Sequence, residues 1–223
     1  MHITQQTTDY PQTRTNVTMS RFDYIHLLEK IGEKGRSLYG KDYAIADIDR
    51  PVVTKLIAYF LHDEEVAEKE NIDLKKGLLL TGPIGCGKTA LMRIISHLCL
   101  PDHRPYLKSS VDVTLEFNEL GSDVILKYSK RAFNPYRKMP VAYCFDDVGQ
   151  ESIVNFWGNK INLMGQILFT RYNLMHSHEM VTHVITKLNA TELAAMYGEE
   201  MRSRMREMFN LIAFHPESRD KRR

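Results

Sequence analysis

Eight residues, Gly82-Pro83-Ile84-Gly85-Cys86-Gly87-Lys88-Thr89, constrain this chain more than any other stretch. They fit the pattern G-x-x-x-x-G-K-[ST]. They stand between a short apolar run, Gly77-Leu78-Leu79-Leu80-Thr81, and a helical pattern, Ala90-Leu91-Met92-Arg93-Ile94-Ile95-Ser96-His97-Leu98. Strand, glycine-rich turn and helix in that order build a phosphate cradle. The glycines let successive backbone N–H groups turn inward with no Cβ in the way, and the new helix adds the positive end of its dipole. Lys88 can then reach the β- and γ-phosphates, and the Thr89 hydroxyl can ligate Mg2+. Gly82, Pro83, Ile84, Gly85, Cys86, Gly87, Lys88, Thr89 and Ala90 form the candidate nucleotide-binding set. A chance match in a surface loop is the alternative, and the strand-to-helix setting weighs against it. The signal is for a nucleoside triphosphate and by itself names no reaction.

The rest of the chain supplies a frame for such a cradle. Alternating strands and helices predict an α/β fold, a P-loop NTPase three-layer sandwich with a mostly parallel five-stranded sheet covered on both faces. The strands are expected at 77–81, near 106–110, at 141–145, at 181–186 and at about 209–214. Helices are expected at about 112–119, 122–130, 160–174 and 199–208, and Asn189 with Glu192 makes a capping box for one more. Residues 1–18 are expected to be disordered. Residues 19–74 form a helical extension, 75–215 the core, and 216–223 a basic tail read as a solvated terminus. In the extension, Ser20 caps a helix with Phe22, Ile25, Leu28 and Ile31 on one face, ended by Gly32 and Gly35. A second helix starts near Pro51 with Val53, Leu56, Ile57 and Phe60 as its stripe, and the charged run 62–70 is its solvated end.

With 223 residues and 43% hydrophobic content the chain can bury a sizeable core, and a net charge of +2 restricts any nucleic-acid surface to a local patch. Cys86, Cys99 and Cys144 are too few and too scattered for a disulfide framework or a zinc site; Cys99 and Cys144 read as buried thiols, and Cys86 is either reactive or simply small. Residues 1–18 lack an apolar core of a signal peptide, and no run approaches about 20 apolar residues, so a reduced, cytoplasmic protein with no membrane partner is expected.

Asp146-Asp147 closes the apolar strand Val141-Ala142-Tyr143-Cys144-Phe145. This is the Walker B arrangement, in which a carboxylate is carried to the sheet edge beside the phosphate loop. Asp146 would hold Mg2+ together with Thr89, and Asp147 would orient or polarise the attacking water. The alternative is an acidic pair opening a turn before Gly149. Two carboxylates this close repel, so one is expected to have a raised pKa until the metal arrives. The extra strand between the two motifs points to ATPases that activate water with an added carboxylate rather than to small-molecule kinases.

At these residues the chain resembles the AAA+ ATPases of the DnaC/IstB-like group, the bacterial replicative helicase loaders and transposition helper ATPases. The matching pieces are Gly82–Thr89, Phe145-Asp146-Asp147-Val148-Gly149-Gln150-Glu151, Arg171-Tyr172, Val184-Ile185-Thr186 and Gly198-Glu199-Glu200-Met201-Arg202-Ser203-Arg204-Met205. Residues 40–80 also resemble ATPases carried on mobile elements of Bacteroides-type bacteria. The resemblance implies an AAA+ core, ATP and Mg2+ as cofactors, and Arg204 as an arginine finger reaching the γ-phosphate on a neighbouring copy, with Arg202 as a nearby alternative. The bland view of Arg202, Arg204 and Arg206 is a solvated helix face opposite Met201, Met205 and Met208. Two departures stand out. Thr186-Lys187-Leu188 replaces the group's Thr-Asn-Leu, leaving Thr186 as the nearest polar substitute for the water-positioning Asn, and no helical lid is expected after the last strand.

Residues 125–138 carry five positive charges, no acid and three aromatics, a composition suited to single-stranded DNA, and the resemblance places them beside a DNA channel; an ordinary basic helix end with inward aromatics fits equally well. His176, His178 and His183 look only superficially like metal ligands, and Trp157 reads as core or interface. The function expected is Mg2+-dependent ATP hydrolysis in replication or transposition, with self-association through Arg204 and a replicative helicase or transposase as partner. The rivals are a P-loop small-molecule kinase and an ATP-sensing adaptor with little turnover.

Overall fold

The computed structural model describes residues 22–156 and 158–221. The expectations for residues 1–18, the Ser20 cap, Trp157 and the final Arg222-Arg223 lie outside the described residues.

Two helices, α1 (Tyr24–Tyr39) and α2 (Arg50–Leu61), lead through a short α3 (Glu64–Lys69) into β1 (Gly77–Thr81) and α4 (Lys88–Ile95). There follow β2 (Tyr106–Ser109), α5 (Ser110–Leu120), α6 (Asp123–Lys127) and β3 (Tyr143–Asp146). A hairpin of β4 (Val154–Phe156) and β5 (Asn159–Ile161) comes next, then α7 (Leu163–His178), β6 (Thr182–Ile185), α8 (Ala190–Tyr197), α9 (Glu199–Met208) and β7 (Phe209–Ala213). The five long-range strands form one parallel sheet in the order β2-β3-β6-β1-β7. The α/β sandwich expected from the alternation of elements is therefore present.

The apolar runs of β1 and β6 follow from burial on both sides, as parallel strands require. Leu78 and Leu80 face α2 and α4, packing with Val53, Leu56, Ile57, Leu91 and Ile95. Leu79 faces the other way, into a cluster with Phe145, Val184, Phe117, Ile167, Leu168 and Met205. The period-2 alternation of one strand thus feeds two cores, and the extension belongs to the first of them.

Four local expectations are corrected. Gly32 and Gly35 do not end α1, which starts at an Asp23 cap accepting from the His26 N–H and runs on to Gly40. Gly35 is needed for space: a Cβ there would lie 2.0 Å from the Tyr43 ring. Ile25, assigned to the buried stripe, is 75% exposed. The charged run after α2 is largely solvated, as expected, but it is a separate helix and not the end of α2. His62 adopts a left-handed conformation that stops α2, and Asp63 caps α3 by accepting from the Val66 N–H. Residues 160–161, read as the start of a helix, belong to a strand of the hairpin instead.

Two buried polar side chains organise the sheet. Arg171 on α7 is fully buried: Nε donates to Thr182 Oγ1, Nη1 to the Tyr128 carbonyl, and Nη2 to those of Val141 and Val181. His183 on β6 is also buried and accepts from the Leu78 N–H through Nδ1, so it belongs to the core. Burial, and secondarily the Arg171 charge, hold its pKa down to about 3 from 6.5. Between those values the unfolded chain binds a proton that the folded one refuses. The stability from neutral His183 is therefore complete above about pH 6.5 and lost as pH falls towards 3, by up to about 1.4 kcal/mol per pH unit. Thermal midpoints of the parent and of His183→Gln at pH 7 and pH 5 check this. The variant is expected to lose less stability over the interval, and equal losses would contradict the assignment.

Candidate functional site

The glycine turn sits where β1 ends, at the carboxyl edge of the sheet between β6 and β7. Gly87, in a left-handed conformation with φ 98°, is the N-cap of α4, so Lys88 and Thr89 open that helix. The positive end of the α4 dipole therefore lies at the loop, as a phosphate requires. The Lys88 ammonium curls back over the loop and donates to the carbonyls of Gly82 at 2.9 Å and Pro83 at 2.8 Å. Ile84 is exposed at the tip, and Ala90 packs into the first core beneath the helix. Cys86 is buried, and burial raises its thiol pKa, which suits a small space-filling residue rather than a nucleophile.

Thr89 and Asp146 are brought together. The Thr89 hydroxyl donates to Asp146 Oδ1 at 3.1 Å, linking the first turn of α4 to the end of β3. Burial raises the Asp146 pKa, with the Asp147 charge adding to the effect and the Thr89 hydrogen bond opposing it. A hydroxyl and a carboxylate oxygen beside phosphate-binding amides are the hard-oxygen donor set that Mg2+ takes, with phosphate and water supplying the rest. The residues therefore fit MgATP.

Asp147 is a non-glycine residue held at φ 56°, its N–H donating to Asp146 Oδ1. Three elements brace its loop. Ser110 Oγ donates to the Asp147 carbonyl at 2.8 Å, Thr186 Oγ1 to the Val148 carbonyl at 2.6 Å, and the Gly149 N–H to Glu151 Oε2 at 2.7 Å. The Tyr197 hydroxyl donates to the other oxygen of Glu151, which is itself buried. Strain maintained by this many partners is characteristic of functional turns.

Thr186 and Lys187 are differently placed from a free polar sensor. The Thr186 hydroxyl, fully buried, is committed on both sides, donating to Val148 and accepting from the Leu188 N–H at 3.0 Å. It ties the loop after β6 to the loop after β3. Lys187 Nζ donates to Gln150 Oε1 at 2.9 Å, reaching the same acidic loop.

Arg204 is not brought to the phosphate loop. It lies on α9, pairs with Glu200 at 2.6 Å, and stacks 4.2 Å above the Phe169 ring, with Tyr172 beside it. Arg202 pairs with Glu199 in the next turn. Phe169 is part exposed, and a shallow hollow lined by Gln166, Phe169, Thr170 and Glu200 opens beside Arg204.

The basic segment is corrected in its aromatics. Tyr128 is buried with its hydroxyl on Glu116, so it cannot stack on a base, and Phe133 packs edge-on against His178. Tyr136 is 92% exposed. Lys127 pairs with Glu116 and Arg131 with Asp123. Lys138 and Met139 line a cavity with Lys75 and Lys76, which precede β1, so the segment turns at the opposite edge of the sheet from the phosphate loop. His176 lies against Tyr172 and near Glu207, apart from the buried His183. Among the described residues no helix is long and apolar enough to cross a membrane.

The tail expected to be solvated is exposed at Arg219 and Asp220 but anchored at Ser218 and Lys221. Ser218 is buried, its hydroxyl donating to Asp49 Oδ1, and Lys221 pairs with Asp49 Oδ2 while its N–H donates to the Gly85 carbonyl of the phosphate loop. Neither Asp49 nor this segment carries a motif, and their pairing across the chain has no local sequence signal.

No protein-family model matches the sequence, and no curated protein matches it. Solved structures do. The DnaC helicase loader is similar with a TM-score of 0.52 and 18% identity over 82% of this chain and 99% of its own. DnaI gives the same score and identity over 82% and 94%. A protein described as a primosome component, from Streptococcus pyogenes serotype M3, gives 0.54 and 15% over 84% and 91%. At such identities the likeness concerns the fold alone: this chain shares the parallel α/β fold of these proteins.

Proposed function

We propose that this protein binds MgATP at the loop 82–89 and hydrolyses it, as an AAA+ ATPase serving replicative helicase loading or transposition. The observation that carries the reading is the Thr89–Asp146 pair at 3.1 Å beside the Lys88 ammonium, which joins a phosphate cradle to a metal carboxylate. Bound Mg2+ would supply charge neutralisation between the phosphates. Lys88 and the loop amides hold the β- and γ-phosphates, and Thr89 and Asp146 hold the metal. Asp147, at its braced turn, orients water and accepts its proton. Arg204 would move off Glu200 to reach a triphosphate on a neighbouring copy, so the site is completed by self-association. The fold shared with a helicase loader supports a replicative helicase as partner, and a transposase fits the same core. Single-stranded DNA would meet Lys130, Tyr136 and Lys138, the exposed remainder of 125–138.

Phosphate release measured without any acceptor, with and without single-stranded DNA, tests this. Mg2+-dependent release is expected, whereas turnover only with an added small-molecule acceptor would identify a kinase. A specific observation favours a second reading, an ATP sensor with little turnover: Thr186 and Lys187 are both engaged with the loop 148–150. Asp147→Asn separates the two. A fall of at least about tenfold in release is expected of the ATPase, and no change would favour the sensor.

A further inference from the structure

We propose that the segment after β7 is a strap that closes over the phosphate loop and competes with nucleotide for it; this rests on the MgATP reading above. The chain leaves β7 alongside the loop, with the Phe214 N–H donating to the Thr81 carbonyl and the Phe214 side chain against Gly82. A turn at Pro216, closed by the Ser218 N–H on the His215 carbonyl, brings the chain back across the loop, where the Lys221 N–H meets the Gly85 carbonyl at 2.9 Å.

The strap covers the loop's bare faces. Gly85 and Gly87 both have positive φ, and a phosphate loop needs glycine there so that a ligand can approach the backbone. Here the space is taken by the strap. A Cβ on Gly85 would lie 2.1 Å from Asp220 Oδ1, and one on Gly87 would lie 3.2 Å from Lys221 Cδ. Asp220 and Lys221 thus occupy the space against the turn that a triphosphate would need.

The strap also has a built anchor. Asp49, just before α2, is completely buried, and its two oxygens accept from Ser218 Oγ at 2.6 Å and Lys221 Nζ at 2.7 Å. A buried carboxylate requires such partners, so closing the strap satisfies Asp49 and opening it brings water to a charge. The strap uses a carbonyl of the loop, Gly85 O, for its backbone contact. Nucleotide binding requires the strap to open, and the apparent affinity falls by the fraction of molecules in which it is open.

The test is MgATP affinity by calorimetry for the parent, for a chain ending at His215, and for full-length Asp49→Asn. The last keeps an acceptor for Ser218 but removes the charge that holds Lys221. With the strap mostly closed, its removal is expected to tighten MgATP binding by roughly tenfold, and Asp49→Asn by a smaller factor in the same direction. If the shortened chain does not fold, Asp49→Asn decides alone. Equal affinities overturn the strap and leave the ATP reading standing. Weaker binding in the variants also overturns it, because the segment would then be part of the nucleotide site. Absence of MgATP binding in every form, the shortened chain included, overturns the ATP reading and the strap together.

Discussion

Lys88→Ala is expected to lower Mg2+-dependent phosphate release by at least about a hundredfold while leaving the fold intact. The ammonium stands at the mouth of α4 with two loop carbonyls as its partners, and in the proposed ATPase reading it follows the γ-phosphate as negative charge develops there. No other lysine opens α4, and alanine offers no donor. The cost to stability is small, because the carbonyls of Gly82 and Pro83 lie in a part-exposed loop where water can replace the ammonium. Turnover should therefore collapse with a nearly unchanged thermal midpoint. Unchanged turnover would remove Lys88 from the site, and a large drop in midpoint would show that the loop depends on it for folding.

Arg171→Leu is expected to have the opposite profile, destabilising the fold by about 3–5 kcal/mol. The guanidinium is fully buried, and among the described residues it pairs with no carboxylate; its partners are the hydroxyl of Thr182 and the carbonyls of Tyr128, Val141 and Val181. It also lies over the rings of Tyr143 and Phe145. Burial lowers its pKa to about 9, which leaves it charged at neutral pH. Leucine would fill part of the volume but leave the buried Tyr128 carbonyl and the part-buried carbonyls of Val141 and Val181 without this donor. For a chain of this size the thermal midpoint should fall by roughly 10–15 °C. Arg171→Lys should recover part of the loss, since one ammonium can serve some of the same carbonyls. A midpoint within a degree or two of the parent would show that the network is dispensable.

The parts of this molecule that were legible in the sequence are those with a local cause. The loop 82–89 announces itself because its glycines, lysine and threonine must be contiguous to work, and β1 and α4 flank it with plain apolar patterns. The Asn189–Glu192 capping box is confirmed because both halves lie within one turn. What escaped has a distant cause. Gly35 reads as a helix stop, yet it exists to admit the Tyr43 ring. The hairpin 154–161 is too short to show an alternation, and its last two residues pass for a helix start. Tyr128 looks like a base-stacking residue until Glu116 is found on its hydroxyl. Asp49 and Lys221 are far apart in the chain, and only the fold reveals that they meet beside the phosphate loop.

The central claim, that Lys88, Thr89 and Asp146 form one MgATP site, is tested most directly by titrating ATP into the full-length protein and into the chain ending at His215, each with and without Mg2+. Saturable binding that strengthens with Mg2+, and that loses this strengthening in Asp146→Asn, is the predicted result. No binding in either form at millimolar ATP, or a response to Mg2+ that survives Asp146→Asn unchanged, would contradict it.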